Sequence, residues 1–585
     1  MTREEELIEK IQQMCDDDRE EEVVRMIDAL PAEERTYKIV GLQARTLSNL
    51  AGMIRNGYYD CALDPDTLDR RALKILTDTT DEGKDDPNWW CRNGYTRMNL
   101  GMEAEAIPYF EHVMTLIDDD PETLEFWSDV PEAIEKCRRI TSFLERPSEQ
   151  EPPYAKTRSW MIAIPRNESY ALDIDLTTAR IRTLEGVDDV ELKEVGKELT
   201  GTVLSLTGRF GGETFECEID EVTAFNPNGL KYGTYFNAAD TEMLTQRLSG
   251  YAVDMKPGRG KPLDWLHLQL RIADIVVPDM LVLHDLSSRQ ALSGLWVKRA
   301  AGSAVAPPPD FAFSINRERN AAGGDVWLYT SGLERFGLPD LEIMHGTPNH
   351  EECHNLLLTV TARTLMGRTD TRTEAYGAYP PKIEQPIAMM DGGVPLYIRL
   401  LPWPEAIKDG DRNTCAPGSI RTRLERMNSK SCVLFACPDE QAAAEDKYQP
   451  LWTMDDFLTN DLAAGMKSLV DSEETERRSR IAAERLDIME RAARNAPQQE
   501  VLLMLWLEDE DGEPMDKWAR ITKYSDRHNF EAEIEEDGDK TGIRFVNEPD
   551  GRIISWAIPA GNFLITPDNA YVLDAEPKLK AKLGL

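Results

Sequence analysis

The pentapeptide His350-Glu351-Glu352-Cys353-His354 sets two imidazoles four residues apart, with a carboxylate directly after the first. On a helix this spacing brings both rings to one face. There they can share a zinc ion while the glutamate polarises a metal-bound water. A third ligand would come from downstream, where Glu374 stands twenty residues beyond His354. His345 brings a third of the chain's seven histidines to the same stretch. A zinc-dependent hydrolase using His350, His354 and Glu351 is therefore one reading. Cys353, beside His354, has the residue type of a nucleophile.

Three features favour a plain helix start. The two residues between Glu351 and His354 are not both apolar, as ligand burial would ask, because Glu352 is a second carboxylate. The segment follows Pro348, so it opens a helix, where acidic side chains are already favoured by the helix dipole. "TRTEAYGAYPP" (371–381) reads as a loop, which is a poor platform for Glu374. Other constellations are missing: the chain has no G-x-x-x-x-G-K-[ST], G-x-G-x-x-G or G-x-S-x-G. "KPGRGKP" (256–262) reads as a turn without the strand-to-helix context of a phosphate loop, and "EDEDGEP" (508–514) as a hairpin turn without calcium-ligand spacing. The expectation is no catalytic residue, no cofactor and no metal.

What could position a binding surface is the first quarter of the chain. Apolar residues at 3–4 spacing predict helices over 5–14, 18–29, 34–52, 67–79, 88–100, 103–117 and 122–144. Within this block, "ALKILTDTTDEGKDDP" (72–87) aligns with "AIPYFEHVMTLIDDDP" (106–121), so Ala72 and Ala106 stand 34 residues apart, as do Pro87 and Pro121. In "WWCRNGYTRMNLGMEAEAIPYF" (89–110), small Gly94 and Ala106 let two helices approach, Trp90 and Phe110 fill the space around them, and Gly101 marks the turn.

Period and residues together resemble a tetratricopeptide repeat (TPR). Asn93 and Arg97 depart from the pattern, and the preceding unit carries an extended turn, "NGYYDCALDPDT" (56–67). The resemblance implies stacked helix pairs with a concave groove suited to a peptide or a partner helix. Asn88, Arg92, Tyr95 and Asn99, recurring along one helix face, are the expected partner-binding residues.

After a polar, proline-containing linker, "ERPSEQEPPYAKTRS" (145–159), the pattern changes. Short β-rich runs such as 160–164, 201–210, 311–315, 326–331, 395–403 and 431–438 alternate with helical stretches near 239–252, 262–275, 286–301 and 349–366. From 452 to 497 the chain reads as connecting helices, with a thin apolar stripe through Ala482, Leu486, Met489 and Ala493. Strands are expected at 501–507, 517–523, 529–535 and 541–546. The predicted fold class is multidomain: an all-α TPR-like solenoid (1–145), an α+β domain (155–450), connecting helices and a small β-rich C-terminal domain (499–585).

Residues 290–366 also resemble an uncharacterised bacterial domain of unknown function. The resemblance rests on "GLWVKRAAGSAVAPPPDFAFSI" (294–315) and "VWLYTSGLERFGLPDLEIMHG" (326–346). Members of that family often carry His-Thr-His-Gly where this chain has Tyr329, Thr330, Ser331 and Gly332, and the loss of both histidines weakens any metal or acid–base role carried over to that strand. "FVNEP" (545–549) with Trp556 resembles a second small uncharacterised bacterial domain.

Composition narrows the partners. A chain of 585 residues is too long for one small core. Its net charge of −39 repels nucleic-acid backbones and anionic membranes, and its most basic stretch, "ERRSRIAAER" (476–485), is interleaved with glutamates. No secretory signal is expected from "MTREEELIEK" and no run is long enough for a membrane helix. Nine scattered cysteines without a C-x-x-C pair suit reduced thiols in a cytoplasm. The expected function is non-catalytic protein–protein interaction or scaffolding, with a protein or peptide partner and neither nucleic acid nor membrane.

Overall fold

The computed structural model describes all residues except 1, 56–62, 118–122, 124–125, 146–157, 194–200, 228, 259, 320–325, 368–380, 384, 391–393, 407–430, 438, 454–466, 469–471, 497, 509–513, 537–538 and 547–552. Glu374, the extended turn at 56–62, most of the proline-containing linker, the centre of the acidic turn at 509–513 and residues 547–549 of "FVNEP" therefore lie outside the described residues.

The N-terminal helices begin where side chains can satisfy their free amides. Thr2 and Glu5 form a reciprocal capping box at the helix Arg3–Asp16. Asp64 caps Pro65–Asp78 and Asp86 caps Pro87–Asn99, each with proline in the first turn. Tyr37–Arg55 packs on Pro65–Asp78, and Pro87–Asn99 packs on Glu103–Leu116, which in turn meets Asp129–Glu145. Ala72 and Ala106 are fully buried at these crossings. A Cβ on Gly94 would come within 2.6 Å of the Phe110 ring, so glycine is what lets its helix approach.

The predicted fold class needs correcting. The chain is a mixed α and β structure whose sheets dominate residues 159–565, and its N-terminal helical region does not form a TPR solenoid. The 34-residue spacing relates two helix pairs and then stops. The helices before them, Arg3–Asp16 and Glu20–Asp28, are 14 and 9 residues long, and a four-residue helix, Thr80–Gly83, is inserted between the pairs. Units of unequal length cannot tile by one repeated transformation, which is what a solenoid requires.

Three sheets follow. The first contains β1 (Ser159–Pro165), β2 (Val187–Lys193), β3 (Thr202–Phe210), β4 (Glu213–Val222), β5 (Lys231–Tyr232), β6 (Gly250–Lys256), β7 (Met280–Asp285) and β8 (Gln290–Ser293). Its order is β2-β3-β4-β6-β1-β7-β8-β5, antiparallel except for the β5–β8 pair. The second contains β9 (Ser314–Arg319), β10 (Val326–Ser331), β11 (Leu341–Gly346), β12 (Ala388–Met390), β13 (Val394–Pro402), β14 (Cys432–Cys437), β15 (Gln449–Pro450) and β16 (Lys467–Ser468). In it β11 and β14 run parallel, and the order is β16-β12-β13-β14-β11-β10-β9 with β15 beside β14. The third, β17 (Leu502–Glu508), β18 (Pro514–Asp526), β19 (Asn529–Glu536), β20 (Asp539–Val546), β21 (Ile553–Ala560) and β22 (Phe563–Ile565), is an antiparallel sheet ordered β20-β19-β18-β17-β21-β22.

One apolar core runs through all three sheets, from Met161 to Leu583. The helix Pro262–Val276 covers the first sheet, and Glu351–Gly367 lies against β10 and β11. The stretch 286–301, expected to be helical, divides into β8 and the helix Gly294–Ala301; Gly294 allows the switch, since a Cβ there would sit 1.9 Å from the Met280 carbonyl oxygen. Likewise the expected helix 239–252 ends at Leu244, and the chain enters β6 at Gly250. The charged connecting helix is broken at Arg485 into Ser472–Glu484 and Leu486–Asn495, and that arginine is buried, donating to the carbonyls of Pro567 and Arg299. Among the described residues, no helix is long and apolar enough to cross a membrane.

Candidate partner-binding groove

Asn88, Arg92, Tyr95 and Asn99 recur at spacings of four, three and four on the helix Pro87–Asn99, and the fold brings all four to the wall of one cavity of about 440 Å³. The opposite wall is the helix Tyr37–Arg55, through Ala44, Arg45, Ser48 and Asn49. The third side is Phe126, Trp127, Asp129 and Val130. Sequence reasoning missed the second and third walls.

Hydrogen bonds brace this frame. The Ser48 hydroxyl donates to Asp69 Oδ1 at 2.8 Å and lies 3.1 Å from the Thr96 hydroxyl, tying three helices together beneath the groove. Tyr95 meets Phe110 edge to face at 4.9 Å. Burial pushes the Tyr95 phenol up to about 12 and the Cys91 thiol up to about 11, so both stay neutral at physiological pH. Phe126 is 75% exposed and meets Trp127 edge to face at 5.1 Å, which leaves an apolar lip at the rim.

The groove's charge is unusual for so acidic a chain. Burial, and then the neighbouring Arg45, pull the pKa of Arg92 below the usual arginine value. The acid that opposes this, Asp86, is engaged elsewhere: its Oδ2 accepts from the Tyr37 hydroxyl at 2.6 Å and its Oδ1 accepts from the Asn88 amide at 2.9 Å.

The residues of the zinc reading are placed differently. Pro348–His350 forms one tight turn and the helix proper starts at Glu351. The Glu351 carboxylate forms ion pairs with Arg317 at 2.9 Å and Arg319 at 3.4 Å, pinning the helix start to β9. His354 is fully buried beneath Gly346, and its ring stands 6.4 Å from that of His350 at 89°. Cys353 is buried too, and burial pushes its thiol up to about 11, away from the thiolate a nucleophile needs. Among the described residues, no group of three His, Cys, Asp or Glu side chains is placed to hold a metal ion.

Tyr329, Thr330 and Ser331 serve β10 structurally. The Thr330 hydroxyl donates to Asp340 and accepts from the Leu341 amide, and Asn316 donates to Ser331. A second cavity, of about 400 Å³, lies among Pro262–Val276, Glu351–Gly367 and Ser472–Glu484. Three of its four arginines are balanced within the chain, Arg363 by Asp310, Arg478 by Glu474, and Arg477 by Glu474 and Asp568. "KPGRGKP" does connect a strand to a helix, β6 to Pro262–Val276, which corrects the reading of that segment as lacking this context. Gly258 is there for packing, since a Cβ would lie 2.8 Å from the Thr214 carbonyl oxygen.

Comparison with known families agrees with the middle of the chain. Residues 159–307 match the model of a protein of unknown function (DUF4026), N-terminal part, and residues 313–435 match the model of its C-terminal part. These spans hold the first sheet and most of the second, and they include the stretch whose resemblance to a domain of unknown function is legible in the sequence. No curated protein and no solved structure matches the chain.

Proposed function

We propose that this chain is a non-catalytic, cytoplasmic interaction protein that holds a partner polypeptide in the groove between Tyr37–Arg55 and Pro87–Asn99. The observation that supports this reading is the convergence of Asn88, Arg92, Tyr95 and Asn99 with Arg45 and Phe126 on one cavity. Its volume falls in the range of sites that enclose a few side chains rather than a whole domain. The amides can pair with a peptide backbone, while Tyr95 and the lip formed by Phe126 and Trp127 can cover apolar side chains. Seven cysteines among the described residues form no disulfide, in keeping with a reducing compartment.

The test compares full-length wild type with Arg92→Glu and with the double variant Asn88→Ala, Tyr95→Ala as immobilised bait. A polypeptide retained by the wild type and lost from both variants, whose circular dichroism is unchanged, supports the reading. Retention by all three baits refutes it.

A further inference from the structure

Arg45 and Arg92 line the same cavity, and among the described residues neither guanidinium has a hydrogen bond or ion pair. In a chain carrying 106 acidic against 67 basic side chains, two such arginines face one space. Several arginines elsewhere in the fold are held by carboxylates, among them Arg166 by Asp240, Arg299 by Asp574 and Arg477 by Glu474 and Asp568. At the groove, Asp86 is already engaged by Tyr37 and by the helix cap, and the cavity's lining offers one acid, Asp129, against two arginines. Arg92 is part-buried and Arg45 lies exposed beside it, so the positive charge of Arg45 adds to the desolvation of Arg92, a cost that an anion would relieve.

We propose that the groove is built to receive a carboxylate, carried by an acidic side chain or by the chain terminus of the partner polypeptide, between Arg45 and Arg92. This rests on the groove reading and adds the chemistry of the occupant. A planar guanidinium pairs with a carboxylate through two parallel N–H donors, and two of them can grip one acid from both sides. Asn49 and Asn88, in the same lining, supply amides for the backbone on either side of that acid. Phe126 and Trp127 offer apolar area to its neighbours. The acidity of the rest of the chain repels other acidic surfaces, so an acidic segment gains from reaching this one site.

The experiment uses a fluorescein-labelled hexaglutamate peptide, its hexaglutamine counterpart with the C-terminus amidated, and inorganic phosphate, with full-length protein at low ionic strength. Fluorescence anisotropy should show saturable binding of hexaglutamate, none of hexaglutamine, and weakening as salt is raised. Arg45→Gln and Arg92→Gln should each weaken binding on the order of tenfold, and Asp129→Asn should strengthen it. Absence of hexaglutamate binding by the wild type overturns the inference. So do affinities unchanged in both arginine variants, and so does displacement by phosphate at equal concentration, which would mark a free-anion site. A polypeptide that the wild type retains, that both arginine variants retain, and that Phe126→Ala with Trp127→Ala loses would sink the carboxylate inference while leaving the groove standing.

Discussion

Arg335 and Asp285 form an ion pair with side chains 1% and 0% exposed, Nη2 lying 2.8 Å from Oδ2 and Nη1 3.1 Å from Oδ1. The remaining donors of Arg335 reach Ser159 Oγ and the carbonyls of Ala312 and Gly332, while Asp285 also accepts from Ser287 and Ser288. A single pair thus joins the first sheet, through β1 and the end of β7, to the turn after β10 in the second. With every lone pair and proton engaged, desolvation is offset, but only while both partners are present.

Removing one partner strands the other. Asp285→Ala or Arg335→Leu should each destabilise the chain by about 3–5 kcal/mol. The double variant should cost less than the sum of the two, because no charge is left buried alone. Urea denaturation of the three variants checks this. Additive costs would show that the pair is not a coupled unit.

Asp340 provides a pH signature. Burial, reinforced by the nearby Glu334 carboxylate, pushes its carboxyl up to about 8, against hydrogen bonds from Thr330 and Leu333 that act in the opposite sense. A folded pKa above the unfolded one means the native state holds the proton more tightly. The resulting stability is complete below the unfolded pKa and is lost as pH rises through about 8. Asp340→Asn cannot ionise, so between roughly pH 5 and 9 its urea midpoint should fall less than that of the wild type. Parallel curves would contradict the assignment.

The helix crossing beneath the groove makes a prediction of sign. Gly94→Val should cost about 1–3 kcal/mol, since the new side chain meets Phe110, whose ring would lie within 2.6 Å of an added Cβ. In a Phe110→Leu background that clash is relieved. There Gly94→Ala should gain about 0.5–1 kcal/mol from the lower chain entropy of the unfolded state. Urea unfolding measures both. A stabilising Gly94→Val would mean that the crossing is looser than described.

The helices were legible because two signals agree in them. At Asp86-Pro87, a capping acid and a first-turn proline stand where the apolar 3–4 spacing begins, and the helix starts there. The 34-residue spacing was legible too, but misleading. Ala72 and Ala106 are alike because each lies at a close helix crossing, and two such crossings do not make a repeated array. β8 escaped notice because Gln290–Ser293 is buried throughout, so no alternation separates it from the helix it feeds. For the groove, Asn88, Arg92, Tyr95 and Asn99 share one helix face and could be read from spacing, whereas Arg45 and Phe126 reach the cavity from distant parts of the chain. The Arg335–Asp285 pair is silent in sequence for the same reason: nothing local marks two residues fifty positions apart as partners.

The C-terminal segment packs on the helix Gly294–Ala301, beside the first sheet. The Tyr235 amide donates to the Tyr571 hydroxyl at 2.6 Å, and the Tyr235 hydroxyl donates to Glu576 at 2.6 Å. Arg299 pairs with Asp574 and Asn237 donates to the Ala575 carbonyl, so residues on both sides of the helix Pro262–Val276 hold the tail. Tyr571 is itself buried, and burial raises its pKa, so its hydroxyl remains a neutral group to which the amide can donate. Tyr571→Phe keeps the ring but leaves the Tyr235 amide without its acceptor, at a cost of about 1–3 kcal/mol. Tyr235→Phe removes a bond made at the more open rim and should cost less, near 1 kcal/mol. Hydrogen exchange should then show residues 566–585 losing protection in Tyr571→Phe before the sheet strands do. Simultaneous loss across the sheet and the tail would show that the segment unfolds with the core rather than as a strap upon it.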